Sequence, residues 1–189
     1  MTNVFMIHSY NGNTRDSFAP SIQKLCENQG IDYYFPSFPI RDEATYDGWE
    51  DILNSYKEKG LLNQDSIVIA HSLGTQFFPK YLARNPIKIK IYISVAGFVN
   101  YKGRQDLENI SKHFQPTEAD YKKFKELVDN RYAIYSDNDK HNSIDKLEKY
   151  ADLLSAHKIL IKGAGHFTLS SGITQIEEIE KIILENIKP

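Results

Sequence analysis

The stretch SIVIAHSLG, residues 66–74, gives the strongest indication of the fold. Its first five residues are mostly β-branched and apolar, which is typical of a buried parallel strand. The last five letters, AHSLG, match the G-x-S-x-G pattern with alanine in the first position, which puts Ser72 at the tip of a tight strand-to-helix turn. The helix that follows would direct its N-terminal N–H groups and positive dipole toward Ser72. A plain Ser/Gly turn that caps an ordinary helix is the alternative interpretation.

Short apolar runs alternate with helical patterns along the rest of the chain. We expect strands over residues 4–8, 31–35, 66–70, 87–95, 132–136 and 158–161, and helices over residues 14–29, 45–59, 75–84 and 143–154. Gly30 would end the first helix in a left-handed cap, and a last helix would open with an S/T-x-x-E capping box formed by Thr174 and Glu177. The alternation predicts a single α/β domain over 1–189, with a mainly parallel sheet covered by helices on both faces.

The segment 97–130 interrupts this alternation. It is polar and aromatic, with a loop rich in Asn and Gln and a short helix that begins near Thr117. We expect it to form a cap-like insertion over the C-terminal edge of the sheet, where open α/β sheets bind ligands.

Composition and charge exclude several classes of protein. Lys and Arg number 23 against 25 Asp and Glu, so the net charge of −2 excludes a broadly basic nucleic-acid binder. No apolar stretch approaches the ~20 residues of a membrane helix, and the N-terminus lacks a signal-peptide pattern, so we expect a cytoplasmic protein without membrane contact. Cys26 is the single cysteine, so we expect no internal disulfide, and His113, His141 and His157 show no ligand spacing with Cys26 or with each other, so we expect no metal site. Chemistry at a nucleophilic serine needs no cofactor, and we expect none.

A nucleophilic serine needs a general base, which follows it in the chain order of this fold class. The letters GAGHF at residues 163–167 come directly after an expected strand. Two glycines before His166 permit a sharp loop that returns the imidazole to the edge of the sheet. His166 is therefore the predicted base, and an ordinary loop histidine is the alternative.

The base needs an acid to orient it, and two candidates follow the strand 132–136. A G-x-x-D spacing with Ser136 in the glycine position selects Asp139. We expect Asp137 to cap the turn through its own backbone instead, as Asp side chains commonly do. A plain Asp/Asn turn without catalytic meaning is the competing interpretation of both residues.

A serine nucleophile also needs an oxyanion hole and a substrate pocket, and the sequence offers candidate residues for both. The N–H of Leu73 would supply one donor, and Tyr10 in the loop after the first strand the second, with Asn11 as the alternative. The candidate pocket residues are Asn11, His71, Phe98, Phe114 and Phe167, with Tyr101 as a further aromatic neighbour. Packing of the segment 97–130 on the core would explain these aromatic residues equally well.

Over nearly its whole length the chain resembles the small serine hydrolase family related to retinoblastoma-binding protein 9 and the bacterial YdeN proteins. The matching features are the opening strand with His8 and Tyr10, Gly48-Trp49, the pentapeptide around Ser72, the acid loop and Gly165-His166-Phe167. The resemblance implies an α/β-hydrolase fold and activity on esters or amides. The family's acid motif is similar to S-x-D-D-P, and laid on residues 136–140 it also selects Asp139. Here Asn138 replaces the first acid and Lys140 replaces the proline.

The residues and the resemblance together predict a carboxylesterase-like serine hydrolase. It would cleave small esters, thioesters or amides through Ser72, His166 and Asp139 by way of an acyl-enzyme, with a small molecule as its partner. A second hypothesis is a protein- or ligand-binding module on a hydrolase scaffold with weak or vestigial catalysis, because Asn138 and Lys140 depart from the family motif. The sequence leaves open whether a protein partner exists.

Overall fold

The computed structural model describes residues 2–12 and 18–187. Within these ranges, six strands form one sheet: β1 (Asn3–Ile7), β2 (Asp32–Tyr34), β3 (Ser66–His71), β4 (Ile89–Val95), β5 (Val128–Tyr135) and β6 (His157–Leu160). Their order across the sheet is β2-β1-β3-β4-β5-β6, and every pairing is parallel. The predicted strands are confirmed, although β5 begins at Val128 and not at Tyr132.

The helices of the described residues are α1 (Ala19–Gln29), α2 (Tyr46–Glu58), α3 (Leu73–Arg84), α4 (Gln105–Phe114), α5 (Glu118–Leu127), α6 (Ile144–Leu154) and α7 (Glu177–Asn186). The first helix was expected from Thr14, but residues 13–17 lie outside the described part of the chain. Gly30 ends α1 in the left-handed region at φ 65°, as predicted. None of these helices combines the length and the apolar character needed to cross a membrane.

The helices cover both faces of the sheet, which confirms the predicted α/β architecture. Alternate side chains of β1 point to opposite faces: Val4 and Met6 join the core cluster beneath α1 and α7, whereas Phe5 and Ile7 join the cluster beneath α2 to α6. Strands β1 and β3 are buried along their whole length. The central strands are therefore rigid, and the loops at their carboxyl ends start from fixed positions.

The predicted capping box at the last helix is wrong. Helix α7 begins at Glu177, and its N-cap is Ile176, which makes no side-chain cap. Ile176 is only 3% exposed and packs in the core cluster beneath α1 and α7. Burial of this large apolar side chain contributes about 1.5–3 kcal/mol, more than the ~1 kcal/mol of a typical cap, so packing sets where the helix starts.

The segment 97–130 contains two helices and connects β4 to β5. Helix α5 begins where it was predicted: the Thr117 hydroxyl accepts from the backbone N–H of Asp120, whose carboxylate accepts from the N–H of Thr117 in return. Helix α4 was not predicted. Its apolar positions, Leu107, Ile110 and Phe114, recur at helical spacing, and this pattern is the sequence signal that could have revealed it.

Candidate active site

Ser72 lies between β3 and α3 in a backbone conformation that few residues adopt. Its φ of 52° and ψ of −114° fall outside the common regions for a residue with a side chain. Its N–H donates to the carbonyl of Val95 at 3.0 Å, and its own carbonyl accepts from the N–H of Thr75 at 2.9 Å and the Thr75 hydroxyl at 2.6 Å. These hydrogen bonds offset the backbone strain, which is of order 1–3 kcal/mol.

Steric contacts explain why glycine is required after the serine. A Cβ on Gly74 would lie 2.8 Å from the carbonyl oxygen of His8 and 2.8 Å from the Ile7 side chain. The first turn of α3 therefore packs directly on the end of β1, and a larger residue would push the two elements apart. Ala70, at the other small position of the motif, is fully buried within β3, where the sheet accommodates its methyl group.

The three residues predicted as nucleophile, base and acid meet in one hydrogen-bonded chain. His166 Nε2 lies 3.0 Å from Ser72 Oγ, and His166 Nδ1 lies 2.7 Å from Asp139 Oδ2. If Nδ1 carries the proton and donates it to the carboxylate, Nε2 is free to accept the serine hydroxyl. This arrangement can remove a proton from Ser72 as the hydroxyl attacks a carbonyl carbon.

Asp139 is held in place by its own loop. Its second oxygen, Oδ1, accepts from the backbone N–H of His141 at 2.7 Å and of Asn142 at 3.2 Å. Burial alone would raise the pKa of Asp139, but the hydrogen bond and charge of His166, together with the two N–H groups, outweigh burial and lower it. The carboxylate is therefore ionised at neutral pH and can stabilise a positive charge on His166.

Three consecutive side chains after β5 bind the backbone of the loop that carries His166. The pairs are Ser136 Oγ with Ala164 N at 3.0 Å, Asp137 Oδ1 with Gly163 N at 2.9 Å, and Asn138 Oδ1 with Gly165 N at 2.7 Å. Asp137 was expected to bond the backbone of its own turn, but it accepts instead from Gly163 in the neighbouring loop. Asn138, which departs from the family motif, accepts the N–H of the residue just before His166.

The two candidate oxyanion donors lie at the same cavity as Ser72. The N–H of Leu73 opens α3, where the first amides of a helix have no intrahelical partner. Tyr10 and Asn11 also line the cavity, in a loop fixed by the bonds from Gly12 N–H to Ser9 at 3.0 Å and from Arg41 N–H to the Tyr10 carbonyl at 3.1 Å. Both amides of this loop remain candidates for the second donor.

Two buried histidines support the loops around the site. His71 Nε2 donates to the carbonyl of His166 at 2.9 Å, and burial followed by the nearby charge of His166 lowers the pKa of His71 to about 3. His8 contacts the carbonyls of Ser9 at 2.7 Å and Phe38 at 3.2 Å, and burial lowers its pKa although both carbonyls oppose the shift. Both rings are neutral at pH 7 and serve as fixed hydrogen-bonding groups.

A cavity of about 440 Å³ opens beside Ser72 and His166. Of the predicted pocket residues, Asn11, His71 and Phe98 line it, as does Tyr101. Phe114 and Phe167 do not, so their assignment to the pocket was wrong. Phe114 is fully buried against Trp49 at 5.0 Å between ring centroids, and Phe167, at φ 55°, belongs to the core cluster beneath α1 and α7.

Sequence reasoning missed several residues of the cavity wall. They are Leu107, Ile110 and Ser111 of α4, His141 and Asn142 beyond Asp139, and Thr168, Leu169 and Ser170 beyond His166. The helical spacing in α4 could have revealed the first group, and proximity to Asp139 and His166 in the sequence could have revealed the others. In the described part of the chain, no three His, Cys, Asp or Glu side chains gather in a way that could hold a metal ion.

The parallel sheet and the hydroxyl–imidazole–carboxylate chain at its carboxyl edge are features of the α/β-hydrolase class. A sequence model described as serine hydrolase matches residues 37–185, and the chain belongs to this family of enzymes. The predicted family resemblance is therefore confirmed. No curated protein sequence matches the chain significantly.

Solved structures show the same fold. The chain is similar to the ydeN gene product from B. subtilis, with 21% identity, 98% of each chain covered and a TM-score of 0.87. It is also similar to Est1E from Butyrivibrio proteoclasticus, with 13% identity, 98% and 88% coverage and a TM-score of 0.72. Alpha/beta hydrolase domain-containing protein 10 from mouse matches with 14% identity, 97% and 87% coverage and a TM-score of 0.67. At these identities the likeness establishes the α/β-hydrolase fold.

Proposed function

We propose that this hydrolase cleaves small carboxylic esters, and by the same chemistry thioesters or amides, with Ser72 as nucleophile, His166 as base and Asp139 as the orienting acid. The observation that carries the proposal is the continuous hydrogen-bonded chain, 3.0 Å from Ser72 to His166 and 2.7 Å from His166 to Asp139. The strained turn at Ser72 supports it, because such strain is typical of a nucleophile elbow.

In the first half of the reaction, Ser72 Oγ attacks the carbonyl carbon and its proton passes to His166 Nε2. Asp139 stabilises the imidazolium that forms. The carbonyl oxygen becomes an oxyanion, which the N–H of Leu73 and an amide of the Tyr10–Asn11 loop would stabilise. The carbon–oxygen bond to the alcohol then breaks, and the alcohol leaves with the proton of His166, so that an ester links the acyl group to Ser72.

In the second half, a water molecule attacks this acyl-enzyme and gives one proton to His166. The bond between the acyl carbon and Ser72 Oγ breaks, and Ser72 recovers its proton from His166. The products are one carboxylic acid and one alcohol, and the residues return to their starting protonation states.

The size of the cavity supports small substrates. Its volume of about 440 Å³ lies in the range of pockets for small molecules, about 300–1,000 Å³. Helix α4 contributes Leu107 and Ile110 to one wall, and in this proposal it acts as the small cap expected over the segment 97–130. A cap of this size would admit short acyl groups and leave the cavity accessible from solvent.

A fluorophosphonate probe tests the proposal, because it reacts far faster with an activated serine than with an ordinary hydroxyl group. The probe should label the wild-type protein and fail to label Ser72→Ala, which should also lose hydrolysis of p-nitrophenyl butyrate. Ser37→Ala, at an exposed serine outside the cavity, is the matched control and should be labelled like the wild type. A folded wild-type protein that resists the probe and hydrolyses no ester would instead favour the binding-module hypothesis.

A further inference from the structure

We propose that the site selects esters that join an apolar acyl group to a hydrogen-bonding, hydroxyl-rich alcohol, and that His141 is a specificity residue for the alcohol. This inference rests on the proposed function and adds its substrate class. The observation behind it is that the wall next to His166 is mostly polar, whereas the wall formed by α4 and the loop after β4 is mostly apolar.

The position of the leaving alcohol follows from the chemistry. His166 Nε2 must protonate the leaving oxygen, so the alcohol has to lie beside that imidazole. The His141 ring is also there: its centroid is 4.7 Å from that of His166, and the two planes meet at 67°. Asn142, which directly follows His141, and Thr168, two residues beyond His166, line the cavity on the same two loops. These side chains therefore surround the space that the alcohol would occupy.

The side chains of this wall are suited to hydroxyl groups. Thr168 and Ser170 carry hydroxyls that hydrogen-bond to each other at 2.8 Å, and His141 is exposed enough to meet a ligand. Asn142 is buried, and its Oδ1 has no hydrogen-bond partner among the described residues. That oxygen has almost no accessible surface, so the groups that can meet a ligand hydroxyl at this wall are His141, Thr168 and Ser170. Leu169 is the apolar exception, and with 52% of its surface exposed it lies at the outer rim.

His141 can take part in such contacts as a neutral group. Burial, followed by the charge of His166, lowers its pKa, although the nearby Asp139 opposes the shift. A neutral imidazole has one N–H donor and one acceptor nitrogen, so it can pair with either end of a hydroxyl group. A phenylalanine at this position would keep an aromatic ring beside His166 but could not make either bond.

The wall formed by α4 and the loop after β4, which would contact the acyl group, is mostly apolar. Phe98 and Tyr101 follow β4, and Leu107 and Ile110 belong to α4, which packs on α3. Leu107 and Ile110 contact the core cluster beneath α2 to α6. Ala164 and Phe167, which lie within two residues of His166 in the sequence, belong to the cluster on the opposite face of the sheet. A polar acyl chain would lose its water at the α4 wall and find few hydrogen-bond partners there, because the Ser111 hydroxyl already donates to Gln76.

The test compares two esters that share one acyl group, glyceryl monobutyrate and n-propyl butyrate. Wild-type protein should show the higher kcat/KM for the glyceryl ester. His141→Phe should reduce that preference by about 5–10-fold, the effect of losing one or two neutral hydrogen bonds. His141→Gln keeps a donor and an acceptor and should retain most of the preference. His157→Phe, the same change on the exposed edge strand β6, is the control and should behave like the wild type.

A second pair of substrates separates the alcohol side from the acyl side. The ratio of kcat/KM for p-nitrophenyl acetate and p-nitrophenyl butyrate should be the same in His141→Phe as in the wild type, because only the acyl group differs. A wild-type enzyme without preference for the glyceryl ester, or an unchanged preference in a folded His141→Phe, would overturn the inference. The proposed function would survive either result if Ser72→Ala abolishes hydrolysis of both butyrates, and it would fail if Ser72→Ala remained active.

Discussion

The Asp139 carboxylate makes hydrogen bonds on both of its oxygens, and the two have different consequences. Oδ2 accepts from His166, and Oδ1 accepts from two backbone N–H groups of its own loop. The second set of bonds holds the loop in a turn without the proline that the family motif carries after the acid. Lys140 therefore does not prevent the carboxylate from reaching the imidazole.

We expect Asp139→Asn to reduce kcat for p-nitrophenyl butyrate by about 10³–10⁴-fold, because an amide neither fixes the tautomer of His166 nor stabilises the imidazolium. Asp137→Asn is the matched control: its amide oxygen can still accept the N–H of Gly163, so kcat should stay close to that of the wild type. Steady-state kinetics of the two variants would decide between the acids. Equal losses would show that Asp139 has been assigned the wrong role.

The proposed nucleophile, base and acid could be predicted because each follows a strand that the sequence reveals. Parallel strands bring their carboxyl ends to one edge of the sheet, so the positions of the strands in the sequence are enough to predict that Ser72, Asp139 and His166 lie close together. Phe114 and Phe167 could not be assigned in this way. Their rings are apolar, and both lie in segments that contribute other residues to the cavity wall. Only the packing of the complete core determines that these two rings turn away from the cavity.

Helix α4 is fixed to the body of the protein mainly at its C-terminal end. Phe114 inserts among Trp49, Phe77 and Tyr46, and the Ser111 hydroxyl donates to the buried Gln76 at 3.2 Å. Leu107 and Ile110, about two turns and one turn before Phe114, contribute to the cavity wall. The position of that wall therefore depends on how Phe114 and Ser111 are anchored.

We expect Phe114→Ala to lower the free energy of unfolding by about 3–5 kcal/mol, since removal of a fully buried ring leaves a cavity in the core. Urea denaturation at pH 7 measures this loss. Tyr101→Ala provides the contrast, because this half-buried side chain lines the cavity and should affect KM more than stability. Phe114→Leu would give an intermediate loss and remains measurable if the alanine variant unfolds. A loss below about 1 kcal/mol for Phe114→Ala would contradict the packing of this ring against Trp49 and Phe77.

Helix α4 was not predicted because its sequence signal is weak. Its sequence, QDLENISKHF, is mostly polar, and its apolar stripe is only three residues long. Such a short amphipathic segment is marginal as an isolated helix and acquires its stability from the surface on which it packs. The longer stripes of α2 and α6 bury more residues and were visible in the sequence alone.

The folded protein as a unit buries two neutral histidines, and this couples its stability to pH. His71 is fully buried beside Phe18, with ring centroids 5.6 Å apart, and His8 lies among Phe38 and Trp49 on the other face of the sheet. The pKa of each ring is lowered on folding. Protonation in acid is therefore easier in the unfolded chain than in the folded one.

For His71 the affected window runs from the ordinary pKa of 6.5 down to about 3. Within it the unfolded chain binds a proton that the folded chain does not, so the free energy of unfolding decreases as the pH falls. The contribution of His71 between pH 7 and pH 5 should be roughly 2 kcal/mol. His71→Gln keeps an N–H that can donate to the His166 carbonyl but does not titrate, so its stability should depend less steeply on pH.

Urea denaturation at pH 7 and pH 5 measures this difference in slope. The variant should retain some pH dependence, because His8 still titrates in the same direction. His157→Gln, at an exposed position on β6, controls for the loss of a histidine as such and should keep the wild-type slope. An equal loss of stability in His71→Gln and in the wild type between the two pH values would contradict the prediction. It would mean that the folded protein can protonate the buried His71 ring, despite the apolar residues around it and its hydrogen bond to the His166 carbonyl.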